Sequence, residues 1–155
     1  MIAANNLEVL KKNKICSVLS VGDHLDFKHK DKYRYKQILI DDKWTADLLQ
    51  HFLECFEFID HDFDQGRNVL VHCAAGVSRS ATVVIGYLMY KGGLYFNEAF
   101  TMVQNCRGCV NPNDGFIFQL KEFQQILQDN MFPLQKTYSQ DNYKIQHTDE
   151  VEKIE

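Results

Sequence analysis

The sequence predicts an α/β fold in which helices flank a mostly parallel sheet. Three features carry the prediction. Short apolar runs rich in β-branched residues recur at ICSVLSV (15–21), YRYKQILI (33–40) and NVLVH (68–72). Stretches with apolar residues at helical spacing alternate with them. The third run ends at His72-Cys73, and a short loop containing Gly76 feeds a helical pattern that begins near Arg79. Strands that alternate with helices imply parallel pairing, because a parallel crossover needs a long connection.

The elements follow in order. Residues 4–14 read as a short helix with Leu7 and Leu10 on one side. The first strand, 15–21, stops at Gly22-Asp23, and the polar stretch 24–32 is a loop. The second strand, 33–40, alternates at first and then becomes continuously apolar. Asp41-Asp42-Lys43-Trp44 interrupts the pattern. Thr45 and Asp47 are candidate caps for a helix to about residue 62, with Leu48, Leu49, Phe52, Leu53, Phe56 and Ile59 at helical spacing. NVLVH is apolar enough to sit in the centre of a sheet. A helix over about 79–91 closes at Gly92-Gly93. Asn97 is the candidate cap of a helix over about 98–107, and a last helix covers about 115–129. The stretch from 134 to 155 is polar without clear period, which predicts a flexible tail after one domain over 1–133.

Composition narrows the class. The 155 residues are 45% hydrophobic and 25% charged, an ordinary globular balance. A net charge of −4 weighs against nucleic acid or an anionic membrane as partner. No apolar run approaches the roughly 20 residues of a membrane helix. The start MIAANNLEVLKKNK lacks the order of a signal peptide. Five cysteines, at 16, 55, 73, 106 and 109, show no framework spacing, which suits free thiols in a reducing cytoplasmic or nuclear setting. Cys106 and Cys109 form a C-x-x-C, but zinc needs a second ligand pair and none is obvious, so no metal or cofactor is expected.

The stretch VLVHCAAGVSRSAT (69–82) carries the chemistry. In parallel α/β sheets, ligands sit at the carboxyl ends of strands. A loop feeding a helix N-terminus gathers unpaired N–H groups, and the helix dipole adds positive potential. The result suits an anion such as phosphate. Gly76 lets the loop curl so that its N–H groups point inward. Arg79 offers two phosphate oxygens a bidentate, permanently charged fork. Cys73 lies in the same field, so its thiol pKa should fall below the free value of about 8.5. A thiolate facing phosphate can attack phosphorus and form a covalent phosphoenzyme. Taken singly, such a cysteine is more often a small buried hydrophobe and such an arginine a surface residue. The constellation of strand, Cys73, glycine loop, Arg79 and helix is what argues for chemistry.

HCAAGVSRS resembles the HCxxGxxR signature, followed by Ser or Thr, of the cysteine-dependent protein phosphatases. The longer form HCAAGVSRSAT, with an apolar helix running to YLM, is similar to the dual-specificity phosphatases of the small, atypical and MAP-kinase-phosphatase type. LLQHFLECFEFID and NPNDGFIFQLKEF share the likeness, which spans about residues 4–130. The resemblance implies that fold, with the phosphate loop between a central strand and a helix. It implies Cys73 as nucleophile and Arg79 as binder of the phosphate and transition state. The backbone of Ala74, Ala75, Gly76, Val77, Ser78 and Arg79 forms the phosphate cradle. Ser80 supplies the hydroxyl that helps the thiolate leave, and His72 supports the loop. Asn111 or Asn113 buttresses the loop, while Asn113 or Asp114 also suits a cap of the last helix. The family has one more strand before its first helix, so the resemblance implies that this strand is absent or lies upstream.

The leaving oxygen needs a proton, supplied by a carboxylic acid that later takes a proton from water. Asp41 and Asp42 both sit on the loop after the second strand, and alternation does not choose between them. In the family the acid lies five residues before a polar position that precedes the helix's apolar stripe. Asp47 fills that position and so selects Asp42. Trp44 packs either beside the substrate or over the core. The implied function is hydrolysis of phosphotyrosine and phosphoserine/threonine in a phosphoprotein, such as a kinase or other signalling protein. The alternatives are an RNA or other non-protein phosphate ester, for which only HKDKYRYK (29–36) is basic, or a phosphate-binding pseudoenzyme. The loop's variable positions are neutral, which points away from highly phosphorylated lipids. Catalysis requires Cys73 ionised and Asp42 protonated, so a plot of kcat/KM against pH should be bell-shaped with a mildly acidic optimum. A rate that climbs steadily to about pH 9 contradicts that pair of roles.

Overall fold

The computed structural model describes residues 4–145, with side chains through residue 129. Helix α1 (Leu7–Lys12) is capped by Asn6, whose Oδ1 accepts the N–H groups of Glu8 and Val9. Strands β1 (Ile15–Val21), β2 (Arg34–Ile38) and β3 (Asn68–His72) form one parallel sheet in the order β2-β1-β3. Helices α2 (Phe52–Phe63), α3 (Arg79–Gly92), α4 (Phe96–Cys106) and α5 (Asp114–Ile145) complete the chain. Among the described residues no strand precedes α1.

Alternation along β1 divides the core. Leu19 and Val21 face a large cluster built with Phe52, Phe56, Ile85 and Phe116 from α2, α3 and α5. Val18 faces a small one with Leu10 and Phe27. Phe52 stands at the centre of the large cluster, 5.4 Å from the Phe56 ring and 5.1 Å from that of Phe123.

Several boundaries differ from expectation. Among the described residues β3 lies at the sheet edge and β1 at the centre. An apolar strand records how well it packs against its faces, not how many strands flank it. The half-buried state of Val69, Leu70, Val71 and His72 fits the edge position. A 3-10 turn, Leu49–His51, leads into α2 in place of a continuous helix from Thr45. Asp47 Oδ1 accepts only the Gln50 N–H, while Gln119 Oε1 of α5 accepts those of Leu48 and Leu49 at 2.8 and 2.9 Å. Leu53, expected on the apolar face, is exposed.

Helix α4 begins at Phe96, not after Asn97. Its first N–H groups find partners in Glu98, which accepts from Tyr95, and in Gln124, which accepts from Phe96. α5 runs past 129 and through Pro133 to Ile145, where the sequence suggested an end to the domain and a tail over 134–155. A proline removes one helical hydrogen bond, and no glycine follows it to stop the helix. Residues 146–155 of that expected tail lie outside the described residues.

Phe52→Ala should lower unfolding stability by about 3–5 kcal/mol in denaturant titration. Leu53→Ala, one residue along but exposed, should change it by less than about 0.5 kcal/mol. Equal losses would contradict this account of the core.

Candidate active site

The carboxyl ends of all three strands meet at one edge of the sheet. β1 delivers Gly22 and Asp23, β2 leads into Ile40, Asp41 and Asp42, and β3 leads into Cys73. After five intervening residues the chain enters α3 with Arg79 as its first residue. The parallel pairing thus gathers groups far apart in sequence.

Cys73 is buried, at 3% exposure. Gly76 N–H and Ser80 Oγ–H each donate to its Sγ at 3.2 Å. Burial by itself pushes the thiol pKa up. The bonds from the Ser80 hydroxyl and from the backbone N–H groups of Ser80, Gly76 and Ala75 outweigh it, and the net shift is downward. Gly76 makes the tight curl possible with a left-handed φ of 69°.

Arg107, on the C-terminal side of α4, shapes the same curl from outside. Its Nε and Nη2 donate to the carbonyls of Gly76 and Ala75 at 3.1 and 3.2 Å. In a trans peptide the N–H points opposite to the C=O. Holding these two carbonyls outward therefore turns the N–H groups of Gly76 and Val77 inward, toward the sulfur side.

The Arg79 guanidinium packs into the strand edge. Its Nη1 donates to Ile40 O at 3.2 Å and lies 3.7 Å from Asp23, and its Nε lies 3.5 Å from Asp42. Among the described residues no acceptor takes the buried Nε–H in hydrogen-bond geometry. Gly22 makes room for this placement, since a Cβ there would fall 2.5 Å from Nη1.

Asp42 and Asp41 part company. Asp42 Oδ1 accepts from Ser78 Oγ–H at 2.7 Å and from Asn113 Nδ2–H at 2.9 Å, which places it against the loop. Asp41 is half-buried and paired with Lys43, whose hydrogen bond and charge hold its carboxyl below the ordinary value. Asn113 fills both roles considered for it. Its N–H donates to Ser78 Oγ, and its Oδ1 caps α5 by accepting the Phe116 N–H. Asn111 acts through backbone, donating its N–H to Val77 O at 2.9 Å.

His72 hydrogen-bonds across the sheet. Its Nε2 lies 2.6 Å from Ser20 Oγ, and its Nδ1 3.3 Å from Cys73 O. Burial pushes its pKa down, against the opposing effect of the Cys73 carbonyl. Trp44 is exposed and covers no core. Sequence reasoning missed Gly22, Asp23 and Arg107. The glycine directly after β1 was a readable signal for the first two; nothing local distinguishes Arg107 from a surface residue.

The family model for the dual specificity phosphatase catalytic domain matches residues 2–126. The chain belongs to that family. Arabidopsis thaliana dual specificity protein phosphatase 1B is 42% identical over 127 residues, covering 82% of this chain and 76% of the relative. Human dual specificity protein phosphatase 6 is 39% identical over 142 residues, covering 87% of this chain and 37% of the relative. Among solved structures, human tyrosine phosphatase-like serine/threonine/tyrosine-interacting protein superposes with a TM-score of 0.75 at 36% identity, over 78% of this chain and 83% of that one. DUSP15 superposes with a TM-score of 0.76 at 33% identity, over 86% and 88%. The phosphatase-like fold, with its parallel sheet flanked by helices, is that of this family.

For this dual specificity phosphatase domain the Ser80 bond has a measurable consequence. Alkylation of Cys73 by iodoacetamide follows the thiolate fraction, so its pH midpoint should lie below the ordinary ~8.5. Removing the Ser80 hydroxyl removes a group that lowers the pKa while burial remains, so Ser80→Ala should move the midpoint upward. An unchanged midpoint contradicts the role given to that bond.

Proposed function

We propose that the chain hydrolyses phosphotyrosine and phosphoserine/threonine in phosphoproteins through a cysteinyl-phosphate intermediate. The observation that carries this reading is a buried sulfur that receives Gly76 N–H and Ser80 Oγ–H, together with a buried Arg79 Nε–H that has no hydrogen-bond acceptor among the described residues. A buried donor without an acceptor is unfavourable unless something fills the need. A phosphate oxygen is such an acceptor, and a guanidinium is suited to it.

In the proposed reaction the phosphate enters the cradle formed by the backbone of residues 74–79. The Cys73 thiolate attacks phosphorus, and the bond to the leaving oxygen breaks as Asp42 passes its proton to that oxygen. Arg79 and the loop N–H groups hold the equatorial oxygens, where charge accumulates. Water then attacks the thiophosphate, giving its proton to Asp42, while Ser80 Oγ–H stabilises the departing thiolate. His72 and Asn113 position the loop without touching the reacting atoms.

The substrate class follows from charge. The basic stretch 29–36 is partly committed within the fold, with Arg34 paired to Asp62 at 3.0 Å and Lys36 to Glu54 at 2.7 Å. That disfavours the RNA reading, which needs those cations at a free surface. A phosphoprotein of the cytoplasm or nucleus, such as a kinase or other signalling protein, is the proposed partner. No described helix is long and apolar enough to cross a membrane.

The test is release of phosphate from phosphotyrosine in the presence of EDTA. The wild type should turn over and Cys73→Ser should fall to background. Asp42→Asn should lose about 10²-fold or more in kcat, the scale of general-acid catalysis, while Asp41→Asn stays within a few-fold. A wild type that binds vanadate but releases no phosphate would overturn the enzyme reading in favour of phosphate binding alone.

A further inference from the structure

A groove of about 930 Å³ opens beside the site. One wall is the loop from Asp42 to Thr45, and the other is the start of α5. The walls touch through backbone: a Cβ on Gly115 would fall 2.0 Å from the Trp44 carbonyl oxygen. Gln119 clamps them again, because its Nε2 donates to Ala46 O at 2.7 Å while its Oε1 holds the Leu48 and Leu49 N–H groups. The groove is therefore preformed. It is also continuous with the site, since Asp42 and Asn113 line both.

Much of the groove's polar lining is already engaged. Asp42 accepts from Ser78 and Asn113, Asn113 caps α5, Gln119 makes three bonds, and Lys43 pairs with Asp41. The large surfaces offered to solvent are aromatic: Trp44 is 74% exposed and Phe118 69%. Two rigid aromatic side chains in one preformed groove give apolar contact area at low entropic cost. Exposed apolar surface gathered in one concavity marks a binding site more than scattered exposure does.

We propose that this groove selects the substrate by receiving one large apolar side chain of the phosphopeptide, within a few residues of the phosphorylated one. An extended peptide advances about 3.3 Å per residue, so a neighbouring side chain reaches past Asp42 while the phosphate sits in the loop. The inference rests on the phosphopeptide reading above. It adds a specificity that neither the phosphate loop nor the acid provides.

The experiment uses phosphotyrosine peptides that differ only by Leu, Trp or Ser at one position. Each of the three positions on either side is varied in turn. At one position, Leu or Trp should be preferred over Ser by roughly tenfold in kcat/KM, the scale of burying one such side chain. In Phe118→Ala that ratio should shrink below about threefold. The ratio compares two peptides on one protein sample, so it is independent of the folded fraction and of any loss at the acid. Turnover with no preference at any position overturns this inference and leaves the hydrolase reading standing. No turnover of any peptide, nor of phenyl phosphate, sinks that reading and this inference with it. A Phe118→Ala variant that keeps the ratio but loses self-association in sedimentation assigns the groove to a second copy, which also overturns the proposal.

Discussion

One carboxylate oxygen, Asp42 Oδ1, joins the parts of this site. It takes a hydrogen bond from Ser78 of the phosphate loop and another from Asn113 at the start of α5. Ser78 Oγ in turn accepts the Asn113 N–H, so the three residues form a closed set of bonds. Each segment is a loop that by itself has many conformations to lose. The three bonds close a ring, so each loop is held by the other two in one arrangement. The loop of Asp42, the loop from Cys73 to Arg79 and the α5 cap therefore share one constraint, and the groove between Trp44 and Phe118 inherits its shape from it.

The anion site is assembled by the same economy of contacts. Arg107 holds two carbonyls outward and so orients two N–H groups that it never touches. Arg79 lies between Asp23 and Asp42 at 3.7 and 3.5 Å, distances that balance its charge without saturating its donors. Its hydrogen bond to Ile40 O fixes Nη1 against the end of β2. Nε is left as the donor without a protein acceptor. A guanidinium paired closely with both carboxylates would leave less for a phosphate oxygen to gain.

The local parts of this structure were legible in the sequence. Strand positions, the loop from Cys73 to Arg79 and the glycine-terminated α3 all depend on neighbouring residues, and periodicity or a short motif reports them. The two aspartates were not separable by pattern; the family register pointed to Asp42, which hydrogen-bonds Ser78 of the loop, while Asp41 pairs with Lys43. Long-range features stayed hidden. Gln119 and Gln124 cap elements 70 and 28 residues away, and no local signal distinguishes a capping glutamine from a solvated one. The same reason applies to Arg107. The edge position of β3 was hidden too, because Val and Leu suit a strand whether one neighbour flanks it or two.

That edge position places a demand on His72. β3 leads directly into Cys73, yet among the described residues it is tied into the sheet only through β1. The ladder pairs His72 directly with Ser20, and the imidazole Nε2 lies 2.6 Å from the Ser20 hydroxyl. The last rung of the strand is therefore fastened by a side-chain bond as well as by backbone. A one-residue slip of β3 would turn every side chain to the opposite face and carry Cys73 away from Gly76 and Ser80. Because burial favours the neutral imidazole, the bond to Ser20 brings no charge into the space behind the sulfur. A neutral partner thus fixes the register of the last rung without adding a charge next to the loop.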